Sequence, residues 1–141
     1  MFDLKIFFII LSIIAGLSAF FPYLRDIFSL KTKPHIYTWL IWSVTQGTAV
    51  AGIYYGGGGL GGLELVIGTF FVFIVFLFSL KYGTKNITKS DTAVLITAFL
   101  AVLVWWQLHQ PLLSVLMVSA IDVIGYIPSI RKSYKDPWSE T

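Results

Sequence analysis

Lys5-IFFIILSIIAGLSAFFPYL-Arg25 holds 19 consecutive residues, 6–24, without a charge. Four more blocks of this kind follow: residues 36–55, 65–80, 92–108 and 110–130, the last broken once by Asp122. A helix of roughly 20 apolar residues crosses about 30 Å of hydrocarbon. With their flanks included, all five blocks reach that length. None alternates apolar and polar residues as a lipid-facing barrel strand does. Unpaired backbone groups cost several kcal/mol each in lipid, so helix is the economical solution.

Composition points the same way. The 141 residues are 57% hydrophobic, 17% aromatic and 12% charged. Soluble domains average about 25% charged, which is too far from this chain for a water-facing surface or for disorder. With no cysteine there is no disulfide, thiolate metal site or thiol nucleophile. The N-terminal block lacks the form of a cleaved signal, since Asp3 and a lone Lys5 precede a long run ending in Phe-Phe-Pro-Tyr. The expectation is an all-α membrane protein, one transmembrane domain over 1–141. Its five helices are expected near 4–28, 36–56, 60–82, 91–108 and 111–133.

Five spans put the loops on alternating sides. One side collects Arg25, Lys31, Lys33, Lys81, Lys85, Lys89, Arg131, Lys132 and Lys135, and the other only Lys5. Short cytoplasmic loops are the ones enriched in Lys and Arg. The N-terminus is therefore expected outside and the C-terminus in the cytoplasm, in a cytoplasmic (inner) membrane. Topology accounts for the net charge of +3, and no nucleic-acid partner is expected.

Sliding the chain by 106 residues lays Ala15-Gly-Leu-Ser-Ala-Phe-Phe-Pro22-Tyr23-Leu-Arg25 on Ile121-Asp-Val-Ile-Gly-Tyr-Ile-Pro128-Ser129-Ile-Arg131. Each proline precedes an arginine by three residues, and a second proline, Pro34 or Pro137, follows the basic stretch. Proline inside a span removes one backbone donor and wedges the preceding turn. Pro22 and Pro128 are therefore candidate hinges.

This arrangement resembles the PQ-loop/SWEET superfamily of small membrane transporters. Helices one to three look like its three-helix unit, helix four its linker, and helix five the first helix of a second unit. The resemblance implies alternating-access transport and makes the chain similar to the first five of seven helices. The family's glutamine after the proline is replaced here by Tyr23 and Ser129. The segment from Pro137 echoes the one from Pro34, where helix two begins.

The polar residues inside the spans are the candidate solute pathway. Asp122 precedes Arg131 by nine residues, roughly 13 Å along a helix and so near mid-bilayer. An ionisable group at that depth normally faces the bundle interior and marks a pathway or relay. Ser119, Gly125, Tyr126 and Ser129 share its face by helical spacing. Gln46 is at similar depth in helix two, with Trp39, Trp42, Ser43 and Val50 beside it. Trp42 with Gln46 suits either a solute site or packing, and Trp39 an interface anchor. Ser12, Ala15, Gly16 and Ala19 form a small-residue stripe that permits close helix approach, with Gly16 at the repeat position of Asp122.

Glu64 meets the N-terminal end of helix three. The Gly56–Gly62 run lacks the lysine and hydroxyl of a phosphate loop. His109, beside Gln107 and Gln110, has no second ligand near it, and Trp105 and Trp106 suit an aromatic belt. No nucleophile, base and orienting group fall together, so no enzyme, cofactor or metal is expected. The expected function is transport of a small polar solute of the sugar or amino-acid class, through Asp122, Gln46, Trp42, Ser119 and Tyr126. The alternative is a non-transporting scaffold or assembly subunit. Expected partners are the lipid bilayer, the solute and a second copy in a homo-oligomer.

Overall fold

A computed structural model describes residues 3–108 and 111–140, without the side chains of 101, 105, 108 and 111–115. The expectations for His109 and Gln110, and for the ring of Trp105, lie outside that description. The described residues form five long α-helices: α1 (Leu4–Phe28), α2 (Ile36–Tyr55), α3 (Leu63–Tyr82), α4 (Lys89–Leu108) and α5 (Pro111–Lys135). Two short 3₁₀ turns, Gly59–Gly62 and Pro137–Ser139, precede α3 and follow α5. No strand occurs among the described residues. A single isolated bridge pairs His35 with Thr84.

The expected boundaries differ from these at four helix ends: α2 stops at Tyr55 and not at 56, α5 runs on past 133 to Lys135, and the starts of α3 and α4 move. The stretch from Leu60 is not α-helical, because the glycines fold into a 3₁₀ turn before Leu63. Helix α4 starts at Lys89 rather than 91, because Thr88 and Asp91 cap it reciprocally. The Asp91 carboxylate accepts from the Thr88 amide at 2.8 Å, and the Asp91 amide donates to the Thr88 hydroxyl at 3.3 Å. This is the capping box, with aspartate in place of the usual glutamate.

Helix α1 opens on Asp3, whose carboxylate accepts from the Lys5 amide at 3.0 Å. It ends where Leu30 turns left-handed at φ 58°, a conformation a branched side chain rarely takes. Both Pro22 and Pro128 lie inside continuous helices of 25 residues each. Pro128 is fully buried and Pro22 is exposed.

Helix α2 is the hub. It packs against α3, α5 and α4, while α1 leans on α3 and α4 on α5. One cluster of buried residues, Ile27, Trp39, Val72 and Val75, joins α1, α2 and α3. A second, Ile41, Ala98 and Ile121, joins α2, α4 and α5. Elsewhere the helices turn large apolar side chains outward, including Phe8, Ile14, Phe21 and Phe70, each more than half exposed. Two segments, Leu4–Phe28 and Gly59–Tyr82, are long and apolar enough to cross a membrane by length and composition.

The loops rich in Lys and Arg gather at one end of the bundle, and the glycine loop lies at the other. At the basic end, the α1–α2 loop meets the start of the α3–α4 loop, where the Thr84 amide donates to the Pro34 carbonyl at 3.1 Å. Gly83 makes that approach feasible. A Cβ there would be 2.3 Å from the Ser79 carbonyl oxygen and 2.6 Å from that of Pro34.

Candidate functional site

Asp122, midway along α5, faces α2. Its Oδ1 accepts from the Thr45 hydroxyl at 2.6 Å, and its backbone carbonyl accepts from Trp42 Nε1 at 3.4 Å. Thr45 is fully buried and Asp122 half-buried. The helices approach closely because Gly125, one turn on, has no side chain. A Cβ at Gly125 would lie 3.1 Å from Ile41 Cγ2 and 3.2 Å from Trp42 Nε1. Small residues at a helix crossing allow such close backbone approach.

Aromatic rings continue from this point toward the basic end. Tyr126 meets Trp42 edge to face at 4.5 Å, Trp42 meets Trp39 at 5.2 Å, and Trp39 meets Tyr23 of α1 at 5.3 Å. Such offset and edge-to-face pairs add roughly 0.5–1.5 kcal/mol each beyond the area they bury. Tyr23 then donates its hydroxyl to Glu140 Oε2 at 3.2 Å. Near the same end, Ser129 of α5 donates to the Thr38 hydroxyl of α2 at 3.0 Å.

Of the expected pathway residues, Asp122, Trp42 and Tyr126 come together. Ser119 is exposed, and Gln46 is half-buried one residue beyond Thr45, which makes the bond to Asp122. Thr45 was not singled out in the sequence, although it shares a helical face with Thr38, Ile41 and Trp42. Gly16, at the repeat position of Asp122, lies under Glu64. A Cβ on Gly16 would be 3.9 Å from Glu64 Oε1, in a shallow α1–α3 cleft lined also by Ile13, Leu17, Phe20 and Phe71.

The basic loops do more than mark one end. Asp91 is fully buried, and Arg131 grips it with two bonds: Nε to Oδ1 at 3.0 Å and Nη2 to Oδ2 at 2.5 Å. Nη2 also donates to the Asn86 carbonyl at 3.0 Å. His35, fully buried, holds Nε2 at 3.5 Å from Asp91 Oδ2. Burial pushes the His35 imidazole below its ordinary range. Asp91 draws it back up, and Arg131 and Lys132 oppose that pull. The balance leaves His35 neutral near pH 7.

Beside this cluster, buried Lys132 pairs with Glu140 Oε1 at 2.5 Å and donates to the carbonyls of Ser139, at 3.0 Å, and Lys33. The Lys33 amide donates to the Ser139 carbonyl at 2.8 Å. No signal of sequence spacing singled out the Asp91–Arg131 pair, because its members lie 40 residues apart.

No group of three or more His, Asp or Glu side chains that could hold a metal ion occurs among the described residues. The arrangement sets a hydroxyl-bonded carboxylate, Asp122 with Thr45, beside the paired rings of Trp42 and Tyr126. Comparison with family models, with curated proteins and with solved structures gives no match.

Proposed function

We propose that this chain is a polytopic inner-membrane protein, of PQ-loop/SWEET-like type, that moves a small polar solute of the sugar or amino-acid class. In this reading all five helices span the bilayer, the glycine end faces outward and the basic end faces the cytoplasm. The sorting of nine basic residues to one end supports that orientation. The observation that carries the functional reading is the Asp122–Thr45 pair at mid-helix depth, flanked by Trp42 and Tyr126. A carboxylate held in a membrane interior by a hydroxyl can exchange that hydroxyl for one on a solute. An indole face beside it suits the apolar face of a sugar ring. Pro22 and Pro128 serve as the hinges of alternating access.

The reading is tested by reconstituting the protein in vesicles and measuring uptake of labelled sugars and amino acids. Asp122→Asn is expected to abolish uptake and Pro128→Ala to slow it. Uptake that both variants leave unchanged overturns these roles.

A second reading, a non-transporting scaffold or assembly subunit, draws on the same bond. Thr45 already satisfies Asp122 and Gly125 packs tightly on Trp42, which also suits plain interhelical glue. Under that reading Asp122→Asn lowers bundle stability and changes no flux.

A further inference from the structure

The contacts at the basic end have a symmetry that the helix packing does not suggest. Moving the chain by 106 residues carries Tyr23 onto Ser129, and beyond the basic stretch, where Pro34 falls on Pro137, a move of 103 carries Tyr37 onto Glu140. Tyr23, directly after the first proline, reaches into the second copy and donates to Glu140. Ser129, directly after the second proline, reaches into the first copy and donates to Thr38. An ideal exchange would end at Tyr37, the place that Glu140 takes in the second copy, and the bond falls one residue further on, at Thr38. Between the two arms, the Lys33 amide, just before the first copy's second proline, donates to the Ser139 carbonyl, just after the second copy's, so a backbone bond joins the two copies. Lys132 Nζ staples the centre by binding the carbonyls of both Lys33 and Ser139.

We propose that these groups form a reciprocal clasp that closes the basic end of the solute path. In each copy the residue after the proline holds the segment that follows the other copy's basic loop. The geometry favours a clasp over ordinary loop packing for two reasons. First, both arms start one residue from a candidate hinge, so bending at Pro22 or Pro128 pulls on its arm directly. Second, the Tyr23 arm is the last ring of the aromatic series that leads from Asp122, so releasing it uncovers that series from the basic end. The clasp rests on the transport reading for its purpose, but its opening can be measured without any solute.

The chain has no cysteine, so a single introduced thiol reports water access cleanly. Ser43→Cys, next to Trp42 and half-buried, is the reporter. Its labelling rate by a soluble maleimide is measured in the purified, detergent-solubilised full chain. Tyr23→Phe keeps the ring against Trp39 and removes only the hydroxyl. Ser129→Ala removes one oxygen from the other arm. Each is expected to raise the Ser43→Cys labelling rate by about fivefold, the factor that loss of one net hydrogen bond gives. The rate at Thr69→Cys, half-buried on α3 toward the glycine end, should stay unchanged.

An increase with only one arm overturns reciprocity, and no increase with either overturns the clasp. Equal increases at Ser43→Cys and Thr69→Cys mean general loosening and also overturn it. If no solute is taken up yet both arms raise labelling as expected, the transport reading fails and the clasp stands.

Discussion

Arg131 and Asp91 show how much one residue can hold. A buried carboxylate gripped by two guanidinium bonds breaks even against its desolvation only while both partners are present. Arg131→Ala strands Asp91 without its cation and should destabilise the chain by about 3–5 kcal/mol. Asp91→Asn with Arg131→Gln should recover part of that loss, because neither group is then left as a buried charge. Chemical unfolding in detergent measures both.

Thr45→Val removes the hydroxyl that bonds Asp122 and should cost about 1–3 kcal/mol by the same measurement, since the carboxylate is left short of a donor. His35 gives a pH dependence whose sign is fixed. Its folded pKa is below the unfolded value, so the unfolded chain binds the proton first as pH falls. Stability from this group is complete above the unfolded value of about 6.5 and is lost as pH drops through the depressed folded value. Thermal unfolding at pH 8 and at pH 5 should show the decline, and His35→Gln should flatten it.

Among elements, the α2–α5 crossing is the most demanding. Gly125 leaves 3.1 Å to Ile41 and 3.2 Å to Trp42 for any added Cβ, so those two side chains must give way to a larger residue. Gly125→Val should cost about 1–3 kcal/mol by overpacking and should also separate Thr45 from Asp122. A drop in stability together with a drop in uptake is the expected pair of results.

The five elements themselves were legible in the sequence, because each is built on a long uncharged run, the last broken only by Asp122. Their ends were less so. Leu60–Gly62 read as helix because it is apolar, whereas its glycines settle into a 3₁₀ turn. The start of α4 depends on a cap whose aspartate also serves Arg131, and a run of hydropathy carries no trace of that.

For the whole molecule, apolar side chains turned outward along α1, α3 and α4 leave a surface suited to lipid rather than water. The proposed five-span topology predicts where single cysteines are reached from. Cysteines placed at Lys33, Lys85 and Lys135 should react from one side of a sealed vesicle, and one at Gly57 from the other. Mixed accessibility within the first group would overturn the orientation.

The sequence by itself determined that the chain is helical, where its long helices lie, and that its basic residues sort to one end. Hydropathy and charge act locally along a chain, so a linear reading captures them. It also singled out Asp122, because a lone carboxylate in an apolar run is conspicuous anywhere. Only the tertiary structure decided that Thr45 rather than Gln46 bonds Asp122, that Ser119 points away, and that Asp91, Arg131 and His35 share one buried cluster. Those outcomes depend on how helices rotate and cross. Crossing geometry is set by the fit of small and large side chains between elements whose touching residues lie as many as 91 apart in sequence, as Thr38 and Ser129 do.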